Sequence, residues 1–354
     1  MPALRFGVYC EMQSAPDKSH PELTWEVFRL IEHADTLGYD VYSLIEHHFF
    51  PTFGISANPL ALFTAVAQRT QQIRLRTLCH TLPLHNPLIL AGEIAQADIL
   101  TGGRLEVGVG RGHAWLYPPS GIPFDESRGR YEEALELLRL AWSGERFSFD
   151  GQFTKVRDVQ VVPQPLQKPY PPIYMTGTSG QAFRIAARHG WRICSGGPAP
   201  IEVFADGFST YRQACTEHGT TPHVGYVRAV FLADDENTAH REARDAILNF
   251  YAYNVRPHDS LLDPALQEPM KQAGYGFYAS DALQGMKRLS YDDIIEQDMV
   301  YVGTPEQVVR RLTDLHSRWQ FDEFSIVSHY GGIAPHQAYR NQELFARRVM
   351  PAFR

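Results

Sequence analysis

The sequence predicts an α/β protein, a (β/α)8 barrel, on three observations. Short β-favouring runs alternate with amphipathic helical stretches along most of the 354 residues, which is the pattern of a parallel sheet wrapped in helices. Eight such runs can be counted, the number a closed barrel needs. Polar and glycine-rich segments follow the carboxyl ends of several of these runs, where barrels carry their sites. The hydrophobic fraction of 44% fills a core of this size, and 21% charged residues is ordinary for a globular protein.

The elements follow in order. The first strand is expected over Arg5 to Cys10 and its helix over Thr24 to Leu37, with Gly38 as C-cap. Val41 to Glu46 reads as the second strand and Pro59 to Thr70 as its helix, with Asn58 as N-cap and the proline in the first turn. Ile73 to His80 is the third strand and Pro87 to Leu100 the third helix. Thr101-Gly102-Gly103 turns into the fourth strand, Arg104 to Val109, and Arg128 to Trp142 is the fourth helix. An Asp150-Gly151 turn between β-favouring residues then marks a hairpin insertion.

The rhythm resumes with Ile173 to Thr176 and Gln181 to His189, then Ile193 to Ser195 and Val203 to His218. Val224 to Leu232 is the seventh strand, followed by a helix from Asn237 to Tyr253. Thr304 to Trp319 is a further helix, Glu323 to Val327 the last strand, and His336 to Val349 the final helix. Between Val255 and Asp298, punctuation by Pro257, Pro264, Pro269, Gly274 and Gly276 predicts a long irregular lid loop after the seventh helix. No repeat or linker divides the chain, so residues 1–354 are expected to form a single domain.

A net charge of −7, from 33 basic and 40 acidic residues with no basic cluster, argues against nucleic acid. Cys10, Cys79, Cys194 and Cys215 show no C-x-x-C spacing and read as buried or incidental thiols in a reducing compartment. The opening MPALRFGVYCEMQ lacks the apolar segment of a secretory signal, and no run is long enough to span a bilayer. The expectation is a cytoplasmic protein with no membrane partner.

Two segments carry chemistry. Gly108-Val109-Gly110-Arg111-Gly112 ends the fourth strand. Alternating glycines admit positive φ and close approach of a ligand, and the guanidinium offers a planar fork to phosphate oxygens. The alternative is a tight turn whose arginine pairs with a surface carboxylate. A Rossmann fingerprint is rejected, because the third glycine comes one residue early and Pro118-Pro119 bars a following helix. Glu46-His47-His48-Phe49 ends the second strand. Neighbours on a strand point to opposite sides, so one histidine of the pair faces the pocket. Acid–base chemistry at neutral pH suits such a ring; the bland alternative is a histidine that plugs the barrel top by bonding to Glu46.

These segments, with Phe53-Gly54, Asn58-Pro59, Leu82-Pro83-Leu84-His85-Asn86-Pro87, Gly103-Arg104-Leu105 and Val302-Gly303-Thr304-Pro305-Glu306, occur in the order found in the luciferase-like flavin monooxygenases. The chain resembles that family over nearly its whole length, in particular the luciferase α-subunit branch, whose fold is the same barrel. The resemblance implies that the reactive imidazole is His47, supported by Glu46 and His48. It implies that Arg111, between Gly110 and Gly112, grips the FMN phosphate together with Thr178 and Ser179, and that a cis peptide under the flavin falls at Leu78-Cys79. Two departures stand out: Gly110 replaces the luciferase's reactive cysteine, and Leu78-Cys79 is bulkier than the usual small pair.

The function implied is monooxygenation of a small, apolar organic substrate by molecular oxygen through a C4a-peroxide of reduced FMN. A separate NAD(P)H:flavin reductase would supply the flavin, and the protein would be a homodimer. Rival readings are a deazaflavin-dependent oxidoreductase of the same superfamily and a flavin-binding protein without turnover. A metal-dependent hydrolase using His47, His48, His80 and His85 is disfavoured because no H-x-H occurs, and no metal is expected.

Overall fold

The computed structural model describes residues 3–177 and 180–354, with backbone only at 281, 282 and 284. Its strands are β1 (Arg5–Cys10), β2 (Val41–Leu44), β3 (Arg74–Thr81), β4 (Leu105–Gly110), β5 (Phe147–Asp150), β6 (Lys155–Val159), β7 (Ile173–Met175), β8 (Arg192–Gly196), β9 (Val224–Leu232), β10 (Val300–Gly303) and β11 (Glu323–Val327). Eight of them close a parallel ring in the order β1-β2-β3-β4-β7-β8-β9-β11 and back to β1. The barrel expected from the alternating pattern is therefore present. β5 and β6 form the antiparallel hairpin outside it.

Around the ring lie α1 (His20–Thr36), α2 (Pro59–Ala67), α3 (Pro87–Leu100), α4 (Tyr117–Ser120), α5 (Glu126–Ala141), α6 (Gly180–Arg188), α7 (Glu202–His218), α8 (Glu236–Val255), α9 (Pro264–Met270), α10 (Asp281–Met286), α11 (Tyr291–Glu296), α12 (Pro305–Trp319) and α13 (Pro335–Leu344). Their starts obey local chemistry. Asn58, Asn86 and Thr304 each accept a first-turn N–H with proline just inside the helix, so an orphan donor is satisfied where a missing N–H costs nothing.

Toward the amino ends of the strands the interior is filled by charge. Arg76 reaches Glu323 at 2.5 Å, while Arg5 bonds Glu106 at 2.7 Å and Glu323 at 3.0 Å. Arg76, Glu106 and Glu323 are buried and Arg5 half-buried, and they bond one another, as desolvated charges must. They leave the carboxyl ends of the strands free to form a cavity.

Four features differ from the sequence reading. β10 pairs with β9 along Ala229–Leu232, the edge that β8 leaves after Val227, and so lies outside the ring. The 255–298 stretch is a run of short helical turns rather than an irregular loop. Its prolines mostly sit in first turns, as at Pro257 and Pro264, where they start helices instead of breaking them. Likewise Pro118 stands in the first turn of the single-turn α4, a helix the double proline was expected to forbid. β2 stops at Leu44, so Glu46, His47 and His48 lie beyond the strand.

The glycines of β4 answer to β3 rather than to a ligand. A Cβ at Gly108 would sit 2.2 Å from the Thr77 carbonyl oxygen, and one at Gly110 would sit 2.5 Å from Cys79 Sγ. At Gly112, where φ is +77°, it would lie 2.4 Å from Thr81. Here the Leu78–Cys79 peptide is cis, as the resemblance implied, and the β3–β4 register shifts between Thr77 and His80.

Candidate active site

A cavity of about 500 Å³ opens among the carboxyl ends of the strands, within the usual size for small-molecule sites. Leu78 and Cys79 of β3, Val227 and Ala229 of β9, and Phe250 of α8 supply part of its wall. The 255–298 stretch covers it: Tyr275, Phe277, Tyr278, Leu283 and Met286 all face the same space. This cover is clasped to the loop after β4. Arg111 Nη1 donates to the Ala273 carbonyl at 3.0 Å, Tyr275 and Tyr117 join hydroxyls at 3.0 Å, and the Tyr278 hydroxyl lies 2.9 Å from His113 Nδ1.

One corner of the cavity brings two guanidiniums together, with the Glu132 carboxylate beyond them, bonded to Gln181 at 3.4 Å. Arg111 stacks on Tyr275 at 4.4 Å, and both Arg111 and Arg128 reach Gly274, their nearest nitrogens 3.7 and 3.5 Å from where its Cβ would be. Gln181, which bonds Arg128, and Gly177 also line the cavity. Thr178 and Ser179, expected to help with a phosphate, lie outside the described residues. Gly112 lines the cavity, whereas Gly110 is covered by Cys79 and Thr176. Sequence reading missed Arg128, which sits in the first turn of α5 with no motif around it.

Glu46 also faces the cavity and gathers three imidazoles. His80 Nδ1 lies 2.6 Å from one carboxylate oxygen, and His85 Nε2 at 2.8 Å and His48 Nε2 at 3.1 Å lie on the other. Burial alone would raise this carboxyl; the three imidazole contacts outweigh it and hold Glu46 well below the usual carboxylate range. Burial opposes a charge on His85, but Glu46 raises its pKa above the ordinary histidine value. Glu46, His80 and His85 present donor atoms within 4.8 Å of one another and could hold a metal ion; as they stand, they are engaged with each other.

His47 is placed differently from the expectation that it faces the pocket. Its ring is 1% exposed and stacks on Phe53 at 4.2 Å, with Trp115 and His113 against it. Those three rings line the cavity, and His47 lies behind them. The reason is that the chain has left β2 before Glu46: the His47 amide bonds the Ser56 carbonyl at 2.9 Å instead of a strand neighbour. The two histidines do diverge, His48 toward Glu46 and His47 toward Trp115, but strand alternation is not the cause. Burial, and then His113, lowers the His47 pKa to about 2, and burial lowers His113 to about 4. Both rings are neutral at physiological pH. His113, stacked on Trp115 at 4.4 Å, is the imidazole on the cavity wall.

The sequence and the barrel are shared with known proteins. The profile described as luciferase-like monooxygenase matches residues 4–319. The oxygenase component of the flavin-dependent trigonelline monooxygenase of Acinetobacter baylyi is 26% identical over 99% of this chain and 96% of its own length. The FMNH2-dependent dimethylsulfone monooxygenase of Pseudomonas putida is 25% identical over 84% of this chain and 82% of its own. The crystal structure of monooxygenase RslO1 from Streptomyces bottropensis, 26% identical, superposes with a TM-score of 0.83 over 99% of this chain and 100% of that one. The chain therefore belongs to the luciferase-like family of flavin-dependent monooxygenases.

Proposed function

We propose that this protein is the oxygenase component of a two-component system. It takes reduced FMN from a separate NAD(P)H:flavin reductase and uses molecular oxygen to oxidise a small, largely apolar organic substrate. The observation that carries this reading is the pair of guanidiniums, Arg111 and Arg128, meeting beside Gly274 at the edge of an apolar cavity. Two like charges held together call for an anion, and a guanidinium fork suits phosphate.

Reduced FMN, when bound, supplies the electrons that activate oxygen; the protein supplies position and a dry enclosure. Arg111 and Arg128 would neutralise the phosphate. Leu78, Cys79, Val227 and Ala229 offer apolar surface to the ring system. Phe53, Trp115 and the residues of the 255–298 cover exclude water. His113, neutral and on the wall, is placed to take or return a proton from the cavity side. Glu46 holds His48, His80 and His85 in one orientation. His47 acts as a positioning residue, fixing Trp115 and Phe53 from behind. The four free thiols suit the reducing cytoplasm.

The test is oxygen uptake on mixing with chemically reduced FMN in air. The expected result is that, with no substrate to oxidise, the protein delays the release of the hydrogen peroxide that free reduced FMN gives at once, and that Arg111→Ala shortens the delay. Peroxide release as fast as that of free flavin would overturn the reading. Hydride transfer from a reduced deazaflavin without oxygen uptake would replace it by the deazaflavin alternative.

A further inference from the structure

Glu11 follows directly on the last residue of β1 and lines the cavity while only 6% exposed. It makes no ion pair among the described residues. Its surroundings fix which of its oxygens can carry a proton. The Gly331 N–H donates to Gln13 Oε1 at 2.9 Å, so the amide nitrogen of Gln13 must turn to Glu11, where it donates to Oε2 at 3.0 Å. Asn254 Nδ2 donates to the Phe250 carbonyl at 3.0 Å and to the same Oε2 at 3.2 Å. Two N–H groups thus occupy Oε2 as acceptor, and Oε1 has no hydrogen-bond partner among the described residues.

An isolated carboxylate in an apolar enclosure costs several kcal/mol and neutralises instead. With Oε2 committed to accepting, the hydroxyl falls on Oε1. We infer that Glu11 is a protonated carboxyl that donates a hydrogen bond from Oε1 to a carbonyl oxygen of the substrate, so the cavity selects small ketones over matched hydrocarbons and amines. This rests on the proposed function only in treating the cavity as the substrate site. Burial raises the Glu11 pKa to about 8 despite its two amide donors. The titratable neighbours coupled to Glu11 are Tyr9 and Cys10; burial pushes both up, Cys10 to about 12, so neither charges near neutrality.

The test uses the full-length chain, with and without FMN, and needs no turnover. Infrared spectra at pH 7 should show the carbonyl stretch of a protonated carboxyl that disappears in Glu11→Gln and, in the wild type, fades as pH passes about 8. Cyclohexanone should bind about tenfold tighter than methylenecyclohexane, roughly one hydrogen bond, and lose that advantage above the same pH. Glu11→Gln, which accepts through Oε1 and donates through its amide, should keep the preference within about threefold and lose the pH dependence. Cyclohexylamine binding tighter than cyclohexanone, with affinity rising with pH, would mean a cation site and overturn the inference. Equal binding of ketone and hydrocarbon, or no protonated band at pH 7, would overturn it too. If Glu11→Gln fails to fold, the wild-type pH titration of the band decides alone. Failure of the flavin reading would show instead in FMN binding and oxygen uptake, which none of these measurements use.

Discussion

The indole N–H of Trp115 donates to Nε2 of His47 across 2.9 Å, and that bond fixes where the His47 proton sits. Tryptophan can only donate, so Nε2 is bare and the ring is the neutral Nδ1-protonated tautomer. Adding a second proton would break the bond and charge a buried ring.

A pH signature follows from that relationship. The unfolded ring titrates near 6.5, whereas the folded one is held to about 2. Below pH 6.5 the unfolded chain binds the extra proton, so stability present above that pH is lost as pH falls, by ~1.4 kcal/mol per unit for this residue. Urea unfolding of the wild type and of His47→Asn at neutral and mildly acidic pH should show the wild type losing more by that slope.

His47→Ala should fold and bind FMN within about threefold of wild type, yet release more hydrogen peroxide per oxygen consumed. Removing the ring frees Trp115 and opens the wall to water; misplacement of a reacting group by about 1 Å can cost about a hundredfold. His48→Ala, on the Glu46 side, should chiefly lose stability. Coupled turnover and peroxide release, measured on both, separate the roles; unchanged coupling in His47→Ala would remove it from the site.

Arg111→Ala should weaken FMN binding by roughly tenfold to a hundredfold and leave riboflavin unaffected, since charge-assisted bonds to phosphate contribute about 1.5–3 kcal/mol. Arg128→Ala should show the same selectivity. Calorimetric titration with both ligands checks this, and equal losses for the two would assign the arginines a structural role.

Glu46→Gln should destabilise the protein by about 3 kcal/mol, because it leaves three oriented imidazoles without their carboxylate. The Glu46 contribution is present above the ordinary carboxylate pKa of 4.5 and fades as pH falls through its depressed value. The His85 contribution is complete below 6.5 and fades as pH rises through its raised value. The network is therefore strongest between about pH 4.5 and 6.5. An NMR titration of His85 should show its pKa falling in the variant.

Self-association should run through α2 and α3. A groove there, shared with the segment after the hairpin, exposes Ile89 at 62%, Leu100 at 47% and Val162 at 72%, and exposed apolar surface of this kind marks contact sites. Light scattering should give a dimer for the wild type and a 40.1 kDa monomer for Ile89→Glu. A monomeric wild type at micromolar concentration would refute this.

The ring of eight strands was legible because each strand is a contiguous β-favouring run followed by a helical period. β10 was not, since Val300–Gly303 is short, pairs only with β9 among the described residues and runs straight into the Thr304 cap. Helical turns in the 255–298 cover were hidden because proline and glycine mark loops and helix starts alike. In the site, Arg111 and Glu46 announced themselves through motifs at strand ends. Glu11 carries no motif, though its place one residue beyond β1 is itself a signal in a barrel. His113 was read only as part of a loop, and its partner His47 was aimed by a strand alternation that had already ended.

Gly110 and Cys79 are two addresses for one slot. The room for a side chain at 110 is taken mainly by the Cys79 thiol from the neighbouring strand, 2.5 Å from any Cβ placed there, with the Thr176 hydroxyl at 2.8 Å. The luciferase arrangement, with its sulfur on the arginine loop, and the one found here are thus mutually exclusive occupancies of the same volume. A single replacement at 110 has to turn both the Cys79 thiol and the Thr176 hydroxyl aside, so exchanging positions 79 and 110 together should be milder than the sum of the two changes.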